Sequence, residues 1–351
     1  MVGPLDDDET WAEDAAWIRV EDPSAAGAAR RSAAELAADL AFPEVRAAEL
    51  AIVVTEIATN LVKHAEQASL LLRVVRARDA AGIQVVAVDG GPGLRDVATA
   101  SVDGVSSTGT LGLGMGAISR LSSTWDVHSV PGRGTVLTAS LWAGAAPAPP
   151  RGGAGEAAGL TRPITGEEAC GDAVAVRRAG GASILLVVDG LGHGPLAELA
   201  AGEAVRVFRA SSATAPGALL AEIHREVQHT RGAAVAVAAL DRAAGTLRYA
   251  GLGNIAGTVV SDGRRSGLVS LPGIAGHNAR SLRETEHPLP PDAVVVMHSD
   301  GVRERWDLDD YPGLLVHGPL VVAATVLRDA GGRRDDASVL VALPPRPEVD
   351  A

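Results

Sequence analysis

Apolar positions in the first part of the chain recur with a helical period and then with a strand period. An Ala-rich stretch over 24–40 carries Leu36 and Leu40 one turn apart behind Pro23 and Ser24, which predicts a helix. A second helix is predicted from 43 to about 64. Runs at 70–77 and 83–88 read as strands around a turn at 79–82. After a Gly-rich region, 116–121 reads as helix, and 125–129 and 135–141 as strands around Pro131-Gly132. Residues 1–20 are acidic and are expected to be a flexible, frayed segment. Helices grouped on one side of a mixed or antiparallel sheet make residues 21–142 an α+β sandwich.

The second half is rich in short β runs, at 173–177, 184–188, 233–240, 246–250, 255–260, 293–298 and 337–343. Helical candidates lie between them at 195–209, 216–230 and 319–330. Many strands with few helices predict two sheets packed face to face and flanked by helices. Between the halves, residues 143–160 are almost wholly Ala, Pro and Gly, with nothing to bury, and read as a linker. The domains expected are therefore 21–142 and 161–345.

Composition narrows the function. With 351 residues, 47% hydrophobic and 21% charged, the chain has the make-up of a globular protein large enough for two domains. A net charge of -12 disfavours nucleic acid as a partner, because phosphate backbones repel such a surface. No apolar run is long enough for a membrane span. Residues 1–14 are acidic, unlike a secretory signal, and one cysteine, Cys170, allows no internal disulfide, so a cytoplasmic location is expected. The one lysine is Lys63, outside any P-loop pattern.

Candidate chemistry begins with Glu56, Asn60 and His64, spaced by four and therefore on one face of the second helix. Ile52, Val53, Ile57 and Leu61 are read as its opposite, apolar side. Taken alone, the stripe also fits a solvated helix face. Two further elements follow it. The 83–88 run ends in Val88-Asp89-Gly90-Gly91-Pro92-Gly93, an acceptor next to backbone that can be approached closely. A loop with Gly109, Gly112, Gly114 and Gly116 then leads into a helix, whose N–H groups suit phosphate.

In this order, E-x-x-x-N-x-x-x-H, D-x-G-x-G and the Gly-rich loop resemble the GHKL ATPase superfamily. With Ser129-x-x-Gly132-x-Gly134-Thr135, they are similar to its RsbT-like anti-sigma-factor serine kinases. The resemblance implies a Bergerat α/β sandwich binding ATP with Mg²⁺. By it, Asn60 would hold the Mg²⁺, Glu56 would act as general base on a protein serine, and Asp89 would accept from the adenine amine. Gly91 and Gly93 would shape the adenine pocket, Gly109, Gly112, Gly114 and Gly116 would wrap the phosphates, and His64 and Thr135 would support the nucleotide. A sensor histidine kinase is disfavoured, since no His precedes Glu44.

In the second half, Asp172, Asp189-Gly190, Asp300-Gly301 and Asp335-Asp336 fall at predicted strand ends or turns. Each is also an ordinary turn signal; together, carboxylates from distant strand ends suit hard divalent cations. The pieces Cys170-Gly171-Asp172, Asp189-Gly190-Leu191-Gly192-His193-Gly194, Thr230-Arg231-Gly232-Ala233, Gly251-Leu252-Gly253-Asn254, Ser299-Asp300-Gly301 and Asp335-Asp336 resemble the SpoIIE/RsbX-like branch of the PPM-type phosphatases. That resemblance implies an αββα sandwich with two Mn²⁺ or Mg²⁺ ions. Asp189 and the Gly190 carbonyl, Asp172, Asp300 and Asp335 would hold them, with Asp336 beside them, and metal-activated water would attack phosphorus in line. His193 would be a general acid, a phosphate-positioning group or a helix cap.

A kinase-like and a phosphatase-like half imply a reversible switch on a phosphoserine protein. The resemblance names a STAS-domain anti-sigma-factor antagonist or a stressosome protein as partner, with a sigma factor or a downstream phosphatase as further partners. The alternative is a metal-dependent phosphatase whose N-terminal half binds a partner or senses ATP without kinase activity.

Overall fold

The computed structural model describes residues 10–94, 114–147, 156–279, 281–332 and 334–345. They divide into two units. One comprises the described residues of Thr10–Pro149 with Leu308–His317, and the other those of Pro150–Asp307 and Gly318–Ala351.

The N-terminal unit contains β1 (Trp11–Val20), α1 (Ser24–Asp39), α2 (Glu44–His64), β2 (Ala68–Ala77), β3 (Ala80–Asp89), α3 (Gly114–Leu121), β4 (Thr124–Val130) and β5 (Gly134–Trp142). Its sheet has the order β1-β2-β3-β5-β4, and every neighbouring pair is antiparallel. α1 buries Ala25, Ala29, Ala33 and Ala37, a stripe of methyl groups at four-residue spacing that lets it lie close to its neighbours. α2 buries Leu50, Val53, Val54, Ile57, Ala58 and Leu61. These side chains share one core with Leu70, Leu72, Ile83, Val85 and Leu141 of the sheet, so the helices cover one face.

Residues 11–20 depart from the sequence expectation: they are a strand, not a frayed segment. β1 pairs with β2 from Trp11↔Arg76 to Val20↔Ala68, with an irregularity between Asp14 and Ala16. The acidic Asp14 is accommodated because Arg73 of β2 forms an ion pair with it, their side chains 12% and 4% exposed. The helix expectation for α2 also needs a correction. Ile52 is 46% exposed, because it lies four residues before Glu56 and so belongs to the polar stripe rather than opposite it.

The C-terminal unit begins with β6 (Ala157–Arg162), β7 (Asp172–Ala179), β8 (Ala182–Gly190), α4 (Pro195–Ala210) and α5 (Pro216–Glu226). It continues through β9 (Ala233–Asp241), β10 (Thr246–Leu252), β11 (Ala256–Ser261), β12 (Arg264–Leu268), β13 (Gly273–Ile274), β14 (Asn278–Ala279), β15 (Thr285–Pro288), β16 (Val294–His298), α6 (Pro319–Ala330) and β17 (Ala337–Ala342). Two five-stranded sheets have the orders β15-β10-β9-β8-β7 and β12-β11-β16-β17-β6. Leu185, Val187, Ala236 and Tyr249 of the first pack with Val295, Met297 and Leu340 of the second. The other side of the first sheet, Ile184, Leu186 and Val235, packs with Phe208, Leu219 and Ile223 of α4 and α5. α6 lies against β6 and β17. The result is an αββα sandwich.

β6 overlaps the end of the expected linker. Ala157 to Arg162 pair with β17, so 157–160 have a partner that their Ala/Gly composition does not advertise. β7 and β8 form a hairpin closed at Ala179↔Ala182, with Gly180 and Gly181 at φ +60° and +81°. Two successive positive φ values are the requirement of a two-residue type I′ turn. None of the described helices is long and apolar enough to cross a membrane.

Candidate active sites

In the N-terminal unit the stripe of α2 meets the start of α3. Glu56 and Asn60 are partly buried, whereas the side chains of Lys63 and His64, in the last turn, are exposed. Gly114 opens α3 directly against them: a Cβ there would lie 2.9 Å from Glu56 Oε2 and 3.4 Å from Asn60 Nδ2. A helix N-terminus with unsatisfied N–H groups is thus placed beside a carboxylate and an amide, an arrangement that suits phosphate and its cation. Gly116 lies in the first turn of α3 and is buried. Gly109 and Gly112 lie outside the described residues.

Asp89 ends β3, nearly buried at 7% exposure, with Thr135 of β5 opposite it in register. Its carboxylate accepts the Gly91 N–H at 2.8 Å, and the Gly90 N–H donates to the Glu66 carbonyl at 2.9 Å. The backbone of His64, rather than its ring, enters this region: a Cβ on Gly91 would lie 3.1 Å from the His64 carbonyl oxygen. Gly93, at φ +69°, fits where a Cβ would meet the Val130 carbonyl oxygen at 2.4 Å. Ser129 Oγ accepts the Leu94 N–H at 2.7 Å, donates to the Gly134 carbonyl at 3.1 Å and lies 3.0 Å from the Thr135 hydroxyl. The structure therefore brings together Glu56, Asn60 and Gly114 on one side, and Asp89, Gly91, Gly93 and Thr135 on another.

In the C-terminal unit, antiparallel pairing puts the acidic residues at one end of both sheets. Asp172 opens β7 and Asp189 closes β8, and the two are direct cross-strand partners. The Gly190 N–H donates to the Gly171 carbonyl at 2.9 Å. Asp300-Gly301 follows β16, and Asp335-Asp336 precedes β17, which pairs with β16. Burial, reinforced by Asp336 and Asp300, raises the Asp172 carboxyl pKa despite the nearby Ser299 and Ser338 hydroxyls. Burial also raises that of Asp189, helped by Asp172, Asp300, Asp335 and Asp336. Asp300 is raised by burial and then by Asp335.

These groups fit a divalent cation. Both Asp172 oxygens are buried without a hydrogen-bond partner, and its neighbours are further carboxylates, an all-oxygen donor set. Among the described residues no three acidic, His or Cys side chains stand in a finished coordination shell. Asn254 Nδ2 donates to Asp300 Oδ2 at 2.5 Å. Asp336 is expected beside the metal-holding residues. Its two oxygens accept the Ile164 and Gly171 N–H groups at 2.7 and 2.8 Å, clasping the entrance to β7.

The Asp300 end is fixed from behind by His298, which is buried and held neutral by that burial. It accepts from Trp306 Nε1 at 3.3 Å, so its Nδ1 carries the proton shared with the Ser299 carbonyl at 2.8 Å. His193 is exposed in the loop before α4, with its Nδ1 3.0 Å from Glu167 Oε1. Sequence reasoning missed Glu167 and gave Asn254 no role. Asn254 sits in a Gly-x-Gly-Asn piece that could have flagged it; Glu167 comes from an acidic stretch with no spacing signal.

Comparison with known proteins agrees with this division. Residues 20–141 match the histidine kinase-like ATPase domain family, and residues 179–343 the stage II sporulation protein E (SpoIIE) family. Serine/threonine-protein kinase RsbT of Bacillus subtilis (strain 168) is 32% identical over 115 residues, which are 33% of this chain and 86% of that protein. A chain solved in work on the bacterial stressosome as a modular system adapted to control secondary messenger signalling is 34% identical. It covers 53% of this chain and 98% of its own length, with a TM-score of 0.49. RsbX solved with magnesium is 17% identical, covers 53% of this chain and 94% of its own, and has a TM-score of 0.47. The histidine kinase-like ATPase and SpoIIE-type phosphatase domains imply use of a nucleotide and of divalent metal. The chain is an enzyme that belongs, through its N-terminal domain, to the RsbT-like serine/threonine-protein kinase family, and it carries a SpoIIE-family phosphatase domain behind it.

Proposed function

We propose that the chain is a bifunctional switch that adds phosphate to, and removes it from, a serine of a partner protein in a partner-switching stress pathway. The observation that supports this reading is the presence of both groups of candidate residues in one polypeptide. Glu56 and Asn60 lie against the N-terminus of α3, and Asp172 and Asp189 of one sheet lie near Asp300, which follows a strand of the other. A STAS-domain anti-sigma-factor antagonist or stressosome protein is the proposed substrate class, by likeness to RsbT-type kinases.

In the kinase half, Asp89 accepts from the adenine amine, and Asn60 holds the cation that accompanies the triphosphate. Gly114 and Gly116 present N–H groups to the phosphates. Glu56 takes the proton of the serine hydroxyl as its oxygen bonds to the γ-phosphorus and ADP leaves. Glu56 qualifies by its position beside the N-terminal end of α3.

In the phosphatase half, Asp172, Asp189, the Gly190 carbonyl, Asp300 and Asp335 would hold Mn²⁺ or Mg²⁺. Bound cations supply Lewis acidity and neutralise charge that develops on the phosphoryl group. Asn254 orients Asp300, and Asp336 fixes the start of β7 on which Asp172 is carried. Water's oxygen bonds to phosphorus, the phosphorus–serine oxygen bond breaks, and His193, oriented by Glu167, gives the leaving oxygen its proton.

The test is a phosphate-affinity gel of a STAS-domain partner, run with the full chain and ATP, and then with Mn²⁺ after ATP removal. Asn60→Ala is expected to abolish the first shift and Asp189→Ala the second. Partner phosphorylation unchanged by both substitutions would overturn the reading.

A further inference from the structure

Beside the loop that leaves Asp189-Gly190 lies a cation that no side chain among the described residues engages. Arg231 lies between the 3-10 turn Val227–His229 and β9, and it is exposed. β9 runs antiparallel to β8, with Ala234 opposite Asp189 and Ala233 opposite Gly190. Arg231 therefore leaves the sheet two residues beyond the partner of Gly190. The Leu191 N–H donates to the Gly232 carbonyl at 3.0 Å, which ties the loop after Gly190 to the Arg231 turn. Gly192 sits there at φ +87°, and a Cβ on it would lie 3.2 Å from Arg231 Nη1. The guanidinium thus rests on the backbone of the loop that connects Gly190 to His193.

Arg231 makes no side-chain hydrogen bond or ion pair among the described residues. Its turn explains why it stays apart. Thr230 Oγ1 donates to the Val227 carbonyl at 2.7 Å and accepts the Gly232 N–H at 3.0 Å. Gly232, at φ +83°, is wedged where a Cβ would meet the Ala275 carbonyl oxygen at 2.7 Å. The cation is held at the rim by backbone geometry rather than by an anion of its own.

We infer that Arg231 is the phosphate-binding side chain of this site, receiving the phosphoryl oxygens of a phosphoserine substrate with its planar fork. The inference rests on the phosphatase reading above. A phosphoserine brings about -1.5 to -2 charges to a rim lined by carboxylates. A fixed guanidinium offers two parallel donors to it, which an ammonium does not. His193 is already engaged by Glu167, so Arg231 is the unengaged cationic donor at this loop.

The test uses the Mn²⁺-loaded full chain and three measurements: steady-state hydrolysis of a phosphoserine peptide, calorimetric binding of inorganic phosphate, and calorimetric binding of Mn²⁺. Arg231→Met is expected to raise both KM and the phosphate Kd by about 10- to 100-fold, with a smaller change in kcat. Mn²⁺ affinity should be unchanged, and Arg231→Lys should recover part of the loss. KM and phosphate Kd within about twofold of wild type would overturn the assignment, as would an equal loss of Mn²⁺ affinity in both variants, which marks a structural role. A wild-type chain that binds phosphate through Arg231 but hydrolyses no phosphoserine would sink the phosphatase reading and leave the anion site standing.

Discussion

Single methyl groups probe how closely the strand ends are knit. Gly134, at φ +84°, passes so near Asp89 that a Cβ would lie 1.9 Å from its carbonyl oxygen. Gly134→Ala is expected to destabilise the N-terminal unit by about 2–5 kcal/mol, combining backbone strain with a forced shift of β3. Gly132, at φ +78° with nothing within 4 Å, is the control; its alanine variant should cost only about 1–2 kcal/mol. Chemical denaturation of both variants makes the comparison. Arg73 gives a second residue-scale prediction. Arg73→Ala removes the cation facing the nearly buried Asp14 carboxylate and should cost about 3–5 kcal/mol. Adding Asp14→Leu should return much of that, which a double-mutant cycle would read.

Among the elements, α2 carries the residues proposed for nucleotide chemistry, and Asn60→Ala should weaken ATP binding at least about tenfold while leaving helix content and unfolding midpoint nearly unchanged. Calorimetry with circular dichroism on the same sample would separate the two effects. This helix was legible because four-residue spacing exposes a functional face without any knowledge of tertiary contacts. The central strands were legible for a similar reason: Ile184 to Val188 and Val294 to Met297 are continuous apolar runs, buried on both sides. Strand-end aspartates followed, since an apolar run that stops at Asp-Gly marks its own end. β1 and β6 were hidden. β1 interrupts its pattern with Glu13, Asp14 and a register irregularity, and only Arg73 makes Asp14 acceptable there. β6 looks like linker until β17 is beside it. Contacts such as Glu167 to His193, 26 residues apart and made from loops, leave no periodic trace. The backbone partners of Asp336, at Ile164 and Gly171, lie far away in sequence and left no signal.

For the chain as a whole, the two activities should respond to different reagents. Mn²⁺ at about 100 times its Kd is expected to stabilise the C-terminal unit by about 2.7 kcal/mol, visible as a raised melting transition that a chelator reverses. Asp189→Asn should abolish that gain. It should also stabilise the metal-free chain by about 1 kcal/mol, since it removes one charge from a crowded, buried cluster. ATP should leave this transition alone if the units respond independently. Differential scanning calorimetry with each ligand in turn reports all of these outcomes.

The hairpin turn at Gly180-Gly181 has a consequence far from where it lies. Asp172 and Asp189 face each other only because the strands between them are counted from that two-residue connection. At about 3.4 Å per residue, the turn is roughly 25 Å from the acidic end. One extra glycine spliced in after Gly181 would change the pairing by one step and send one of the two carboxylates to the wrong side of the ribbon. The chain would then lose the proposed hold on cations through an edit that touches none of the groups involved, so the tip of this hairpin acts as the ruler of the proposed metal site.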